Sequence, residues 1–541
     1  MELLSPQDVY MKLSHLFLPS LLALANALPT YAESGRDDYD LDDNGLIEIN
    51  DLADLNEIRN NLDGTTLYGK SDGCPPEGCE GFELTTDLDF DTNGDGVMDE
   101  NDDYWNNGEG WEPIGNYIYG DSDSEEPFTA VFNGNDYKIL NLYIHCSTSD
   151  EYQHALFGFI RNAEMSNLEL SGELMSINCS LAEGSTGALI GFAEASEIHH
   201  INSTGTVRGG TGATGGVVGR ALDNSLISYL SSSGDISGVA YAGGIIGHCR
   251  YCSLTSSQSQ GNITGIGPEG RYLGGLIGST LYASVTLSHS SADVKGYGAL
   301  GGLIGNSDYS TIAQSYATGN IVASFRYSGG LVGRLRTGSS ISNSYATGNV
   351  LAESEYAGGL IGDSKEGSSI ENSYAIGSVS GGNYIGGVAG YVEESSSISN
   401  SYWATDTSGQ TDIFGDDDTT TVLTDNAGVS LADLWCPISS DDAECLLNTT
   451  LFKGWDDTYF NDQGEVAVWD FGTSSQLPAL NINGEVYRDS DLDGVEDRFD
   501  DYPNDPDRSH KSSSSSGGSL FWLFGLTPFA LMRKRKVLKT F

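Results

Sequence analysis

Short apolar runs, each bounded by Gly, Asn or Ser, alternate with polar residues through the middle of this chain. One unit reads Gly301-Gly302-Leu303-Ile304-Gly305, then a loop, then Ile312-Ala313-Gln314-Ser315-Tyr316-Ala317-Thr318-Gly319 and Asn320-Ile321-Val322-Ala323. Runs this short, ending on turn residues, predict strands, two or three to a unit. The i, i+3, i+4 apolar spacing of a helix is missing throughout this region. The unit recurs: its second glycine falls at Gly216, Gly244, Gly275, Gly302, Gly330, Gly359 and Gly387, at intervals of 28, 31, 27, 28, 29 and 28 residues. A near-constant period of this size marks a stacked repeat. The expectation is an all-β chain, a parallel β-helix or β-solenoid of about eight to nine coils spaced ~4.8 Å apart. A short helical, calcium-loop N-terminal segment precedes it and an irregular C-terminal cap follows.

Like residues recur in phase. Tyr316, Tyr345, Tyr374 and Tyr402 stand one unit apart, as do Asn343, Asn372 and Asn400, each Asn followed by Ser344, Ser373 or Ser401. Stacking places such residues in ladders. A tyrosine ladder can serve as a stacking surface for sugar rings or as packing between coils, and both readings stand. The paired glycines let the backbone turn tightly or let coils approach.

Gly-Gly-Leu-Ile-Gly at 301–305, followed by the Ser315-Tyr316-Ala317-Thr318-Gly319 run, resembles the GLUG motif. That motif occurs in bacterial surface proteins, including large adhesins and the non-catalytic part of some immunoglobulin-A peptidases. The resemblance spans about residues 155–403. It is clear from Gly301 onward and degenerate earlier: Gly187-Ala188-Leu189-Ile190-Gly191 lacks the second glycine, and Ala155-Leu156-Phe157-Gly158 departs further. It implies a repeat architecture and no particular ligand.

Charge narrows the partners. The chain has 541 residues, 77 acidic and 25 basic, with a net charge of −52. Five of the basic residues (Arg533, Lys534, Arg535, Lys536 and Lys539) fall within the last nine. Nucleic acid and anionic membrane need clustered Lys and Arg, so neither is expected, whereas cations are.

Three segments follow the pattern D-x-[DN]-x-[DN]-G. The first places Asp40, Asp42 and Asn44 before Gly45 and ends at Asp51. The second places Asp91, Asn93 and Asp95 before Gly96 and ends at Asp102. The third places Asp489, Asp491 and Asp493 before Gly494, with Asp497 at the ninth place and Asp500 at the end. Alternate carboxylates with glycine at the sixth position can wrap one Ca2+ ion in oxygen. These thirteen side chains are the candidate structural calcium ligands. The first loop runs into Leu52-Ala53-Asp54-Leu55-Asn56-Glu57-Ile58 and resembles a dockerin-type half EF-hand; the third resembles a thrombospondin type 3 repeat.

Both ends read as targeting segments. Met11-Lys12, an apolar run from Leu16 to Ala27, and Thr30-Tyr31-Ala32 predict a signal peptide cut after Ala32. The far end runs from Ser512–Ser516 through Gly517-Gly518 and the apolar stretch Leu520–Met532 to a basic close. It resembles the GlyGly-CTERM sorting signal of Gram-negative bacteria. The resemblance implies transient membrane anchoring and cleavage by a sorting protease on the way to the cell surface. The expected divisions are 1–32 signal peptide, 33–127 calcium-loop and capping region, 128–403 solenoid, 404–488 C-terminal cap, 489–511 calcium segment, and 512–541 linker and sorting tail.

Eight cysteines suit an oxidising compartment. Cys74/Cys79, Cys249/Cys252 and Cys436/Cys445 are close pairs and disulfide candidates, which leaves Cys146 and Cys179 over. Signatures of catalysis are weak. There is no H-E-x-x-H helix and no G-x-S-x-G elbow between a strand and a helix, and His199, His200 and His289 read as outward positions of the repeats. The expected role is therefore non-enzymatic. The chain is read as a secreted or cell-surface calcium-binding adhesin or interaction scaffold for an extracellular glycan or protein ligand. A polysaccharide lyase or hydrolase on the β-helix, or a purely structural envelope component, are the alternatives.

Overall fold

The computed structural model describes residues 36–117, 125–148, 152–393, 395–417, 421–435, 451–452, 454–455, 457–461, 464–472, 476–492, 495–498, 500–505 and 508. The signal-peptide, sorting-tail, Cys436 and Cys445 assignments, with Asp493, lie outside them. The middle of the chain is a stacked column of parallel strands with three sheet faces. In one turn, Ile304–Asp308 lies on the first face, Thr311–Ala313 and Tyr316–Ala317 on the second, and Ile321–Ala323 and Arg326–Gly329 on the third. Each strand pairs in parallel with its equivalents one unit away: Ile304 with Ile277 and Val332, Ile312 with Val285 and Ile341, Ile321 with Val294 and Val350.

The architecture is thus the expected all-β parallel solenoid. The first face has ten strands, from Phe157–Arg161 to Phe414–Asp417, so the stack makes about ten turns and is roughly 40 Å tall. The extra turns are those without a double glycine, such as Leu156-Phe157-Gly158 and Ile413-Phe414-Gly415. The second face extends still further back. Leu46–Ile49 pairs with Gly81–Leu84, which pairs with Val131–Asn133, which pairs with the strand Glu164–Ser171. The helix Leu52–Glu57 buries Leu52 and Leu55 in the core at this end.

The double glycine answers a packing problem. A Cβ on Gly302 would run into the carbonyl of Gly330 in the next coil and come within 2.8 Å of the Ala317 Cβ on the second face. Coil meets coil and wall meets wall at one point, so only hydrogen fits. The aliphatic core fills the space on either side of this waist, with Ile312, Ile341, Ile370 and Ile398 stacked in one column.

Corners are made differently. Asn343, Asn372 and Asn400 sit at φ of 47°, 49° and 46°, the left-handed region that Asn tolerates. The serine after each corner turns inward. Ser315 Oγ donates to the Ala313 carbonyl at 2.8 Å and accepts from the Ser288 amide at 3.3 Å; Ser344 repeats the arrangement with Ser342 and Ser315. The in-phase Asn-Ser pairs are therefore the bend and its hydrogen-bond repair.

Beyond the last turn the chain folds back. A hairpin of Thr458–Asn461 with Gly464–Ala467 and a three-stranded antiparallel sheet (Trp469–Asp470, Ala479–Ile482, Glu485–Tyr487) form an irregular cap. It lies along the flank of the second face rather than on the end of the stack.

Candidate functional site

Three columns of aromatic rings climb the solenoid, and they differ in what covers them. The first, on the second face, is the tyrosine ladder foreseen in the sequence. His289, Tyr316, Tyr345 and Tyr374 stack with centroid separations of 4.7, 4.7 and 5.0 Å, and Tyr402 follows in register. The C-terminal cap buries its four tyrosines in a second hydrophobic core with Phe452, Trp455, Trp469, Leu477 and Leu480. Polar atoms lock the contact. The Tyr374 hydroxyl donates to the Pro478 carbonyl at 2.7 Å, Trp469 Nε1 to Asn343 Oδ1 at 3.0 Å, and Trp455 Nε1 to the Asn400 carbonyl at 3.2 Å.

At the lower end of this contact is a cavity of about 400 Å³. His289, Tyr316, Arg488, Asp489 and Glu496 line it. The Tyr316 hydroxyl donates to Glu496, whose carboxylate is also 3.6 Å from His289 Nε2. Burial, reinforced by the Arg498 charge, pushes the His289 pKa down to about 3, so the imidazole is neutral. Burial pushes the Tyr316 and Tyr345 hydroxyls far above the usual phenol range.

The second column stands at the corner between the first and second faces. Tyr251, Tyr282 and Tyr309 stack at 4.8 and 4.5 Å with interplanar angles of 1° and 12°, and they are 41%, 43% and 49% exposed. Their φ values are 51°, 54° and 48°. A bulky side chain in the left-handed region is strained at a cost of roughly 1–3 kcal/mol, and Asn or Gly would suit the corner better. The Cys249–Cys252 disulfide brackets the first of these rings. The third column, Tyr327, Tyr356 and Tyr384, crosses the third face with the same backbone strain (φ 65°, 60° and 62°).

The acidic loops are wound around their own carboxylates. In the first, Asp40 is fully buried and accepts from the Asn44 amide at 2.9 Å and the Gly45 amide at 2.8 Å; Asp42 also accepts from the Asn44 amide, and Asn44 Oδ1 accepts from the Leu46 amide. The second repeats this with Asp91 accepting from the Asp95 and Gly96 amides, Asn93 from Asp95, and Asp95 from Val97. Gly45 and Gly96 take φ of 88° and 80°, the sharp turn such loops need. The twelfth positions diverge. Asp102 closes its loop, accepting from the Asn93 and Asp99 amides. Asp51 instead caps the helix, accepting from the Ala53 and Asp54 amides.

A residue outside the sequence pattern takes a place in the first loop. Glu48 is buried, accepts from the Leu41 amide through Oε1, and keeps a buried Oε2 without a hydrogen-bond partner. Burial raises its pKa. In the third loop, Asp489 accepts from the Leu492 amide, Asp497 from the Ser490 amide and hydroxyl, and Asp500 from the Tyr502 amide; Asp491 lies beside them. Oxygen donors of this kind are those a hard cation takes, and among the described residues no acidic loop gathers three Asp or Glu side-chain donors within 4.8 Å of one another.

Cys74 is joined to Cys79, Cys249 to Cys252, and Cys146 to Cys179. The last pair eluded the reading by proximity. Its 33-residue separation is one coil, and the residues just before, His145 and Asn178, are register partners. Among the described residues, side-chain donors of three His, Cys, Asp or Glu residues gather within 4.8 Å at Cys146, His154 and Cys179, where the sulfurs are already bonded to each other. No helix among the described residues is long and apolar enough to cross a membrane.

Residues 296–322 and 326–351 match the family model of the GLUG motif. A stretch of 189 residues is 29% identical to Halomucin of Haloquadratum walsbyi; it covers 34% of this chain and 2% of that relative. Among solved structures, an IgA1 protease aligns over 62% of this chain and 22% of its own, at 13% identity and a TM-score of 0.32. A proposed immunoglobulin A1 protease from Bacteroides ovatus aligns over 62% of this chain and 76% of its own, at 17% identity and a TM-score of 0.28. The chain therefore carries GLUG repeats and spans only a small part of the curated relative it matches.

Proposed function

We propose that this chain is an exported cell-surface repeat protein that binds an extracellular glycan or protein ligand, with Ca2+ as a structural ion. The observation that carries the reading is the column Tyr251, Tyr282 and Tyr309. Three rings are held open to solvent on a strained corner, where a polar residue would be easier to accommodate. Amphipathic aromatics on a rigid frame supply contact area at little entropic cost. The likeness to Halomucin supports a surface setting. Export through a signal peptide cut after Ala32, and removal of the tail near Gly517-Gly518 by a sorting protease during transient anchoring, complete the proposal. The masses of the mature termini test that part.

The calcium part rests on the loops. Asp40, Asp42, Asn44 and Glu48 would hold one ion, Asp91, Asn93, Asp95 and Asp102 a second, and Asp489, Asp491, Asp493, Asp497 and Asp500 a third. Each ion would supply charge neutralisation in a crowded acidic segment. The binding test is an array of glycans and matrix proteins probed with the full-length chain, in calcium and in chelator. The triple variant Tyr251→Ser, Tyr282→Ser and Tyr309→Ser should lose signal while remaining folded. An unchanged array pattern would remove the open column from the account.

A polysaccharide-active enzyme is the second reading, and the cluster of His289, Tyr316 and Glu496 in the 400 Å³ cavity favours it. Release of reducing ends from any arrayed glycan, abolished in His289→Ala, would put this reading first.

A further inference from the structure

The third-face aromatic column runs on from Tyr327 past one missing rung at Ala299 to Tyr272 and Tyr241, and beyond Tyr241 it has a wider gap. Two residues before the first glycine of each unit, one position of each coil stands on the third face beside the first: Tyr272 and Tyr241 in two successive coils, then Ala213 and Ser185, both buried, in the two before them. Tyr241 stacks on Tyr272 at 5.3 Å. Where Ala213 and Ser185 replace tyrosine, two rungs of the ring stack are missing, and a cavity of about 330 Å³ takes their place. Tyr117 forms the opposite wall, set edge-on to Phe192 at 4.7 Å.

The floor is a register column of the first face. Phe192, Arg220 and His248 are successive partners on neighbouring strands, and all three line the cavity. His248 is kept neutral, its pKa pushed down to about 4 by burial and by the Arg220 and Arg250 charges. Its Nδ1 is buried without a hydrogen-bond partner, which is costly unless a ligand completes it. Gln153 is fixed at the rim, its Oε1 accepting from the Ser185 amide at 2.8 Å. Aromatic walls around a few aimed polar groups, in a volume at the small end of ligand sites, describe a small-molecule pocket.

We propose that this gap is a saccharide-binding site taking one or two neutral pyranose rings, which occupy the missing rungs between Tyr117 and Tyr241 and place hydroxyls on Arg220 and His248. The rung spacing of ~4.8 Å suits chair-form rings whose C–H faces lie parallel to Tyr241. The electron-rich face of an aromatic ring attracts the polarised C–H face of a sugar. Neutrality follows from charge. Glu183 lines the cavity with Arg220, so the site has no surplus positive charge, and a chain of net charge −52 repels uronates and sialates. The inference rests on the surface-binding reading and assigns it a site.

The test is titration of the full-length chain with neutral hexose and N-acetylhexosamine oligosaccharides, and separately with uronate oligosaccharides. Tyr241→Ala and His248→Gln should each weaken a neutral oligosaccharide at least about tenfold, and Tyr137→Ala, an exposed ring outside the cavity and the aromatic columns, should leave its affinity unchanged. His248→Gln keeps a polar group of similar reach, so loss there is not a folding defect; circular dichroism of both variants checks this. If the chain binds neutral sugars and the pocket variants bind as well as the parent, the site is wrong and the surface-binding reading survives. If only uronates bind, the ligand class is wrong. If the full-length chain binds no saccharide but binds a protein, the saccharide proposal is overturned. If it binds neither, the surface-binding reading falls with it.

Discussion

Tyr316, Tyr345 and Tyr374 stack at 4.7 and 5.0 Å; Tyr251, Tyr282 and Tyr309 stack at 4.8 and 4.5 Å. By ring geometry the two columns are the same object. They differ in cover: the first is at most 5% exposed beneath the C-terminal cap, and the second is at least 41% exposed. They also differ in backbone. The buried tyrosines have ordinary strand conformations, whereas each open one holds a left-handed φ. Stacking one coil above another explains both ladders equally, so the ladder itself says nothing of role. The cover and the strain separate a packing column from a display column.

The largest test of that separation is truncation. Tyr374→Ala removes a ring, a hydrogen bond to Pro478 and the seat of the cap, and should cost about 3–5 kcal/mol of stability. Tyr282→Ala, at an exposed corner, should cost under about 1 kcal/mol. Denaturant midpoints and limited proteolysis of the cap measure both. Equal losses would mean that the open column also carries the fold.

Acid attacks the covered column alone. His289 is buried with Tyr316, Tyr487, Glu496 and Arg498 around it. Its folded pKa of about 3 lies below the unfolded value of 6.5. The unfolded chain therefore binds the proton first, and stability falls as pH drops through 6.5 toward 3. The loss at pH 5 is about 2 kcal/mol for this group. Thermal melts across pH 7.5 to 5 should show a slope that His289→Gln roughly halves, the remainder belonging to His248 outside both columns.

Strain can be relieved on the open column. Tyr282→Asn puts a residue that tolerates φ near 54° at the corner. The gain of about 1 kcal/mol is offset by the lost stacking, so stability should change by under about 1 kcal/mol while ligand binding falls. A variant that is clearly destabilised and still binds would show the tyrosine to be structural.

Some of this was legible in residues and some was not. The Gly216–Gly387 period was readable because the waist admits no Cβ, and one steric rule repeated in every coil leaves one spacing. The terminal turns were legible at best as a departure, since Ala155 and Asp412 stand where the inner turns carry the second glycine, two residues before Phe157 and Phe414, the register equivalents of Ile304. The Asn343 column was visible as a recurrence, but its cause, a left-handed corner, needed backbone angles. Which tyrosines were covered could not be read locally. Tyr316 is buried by Trp469 and Tyr487, over 150 residues downstream, and no periodicity says where that segment docks. Tyr251, Tyr282 and Tyr309 went unnoticed because their run ends after three coils, at Thr337. Glu48 was missed because the ninth place, which it holds in the first loop, was read only in the third, at Asp497. The Ser185–Ala213 gap is a change of residue size that only a column of neighbours makes visible.

The smallest expected effect joins the two regions through the third acidic loop. Glu496 lies between Asp491 and Asp500 and accepts the Tyr316 hydroxyl. An ion in that loop would therefore hold the cap against the covered column and leave the open one untouched. A site with millimolar affinity, at twice its dissociation constant in free calcium, adds about 0.6 kcal/mol. Differential scanning calorimetry in calcium against chelator should raise the unfolding of the cap by that amount. Asp489→Asn keeps the oxygen that accepts from the Leu492 amide while removing the charge, so it should erase the calcium shift without lowering the baseline. Tyrosine fluorescence of a Tyr316→Phe chain should then respond to the ion less than that of a Tyr282→Phe chain, because the open ring makes no bond to the loop. Equal responses from the two chains would break the link between calcium and the covered column, and with it the idea that the cap is the part of the molecule that the ion stiffens.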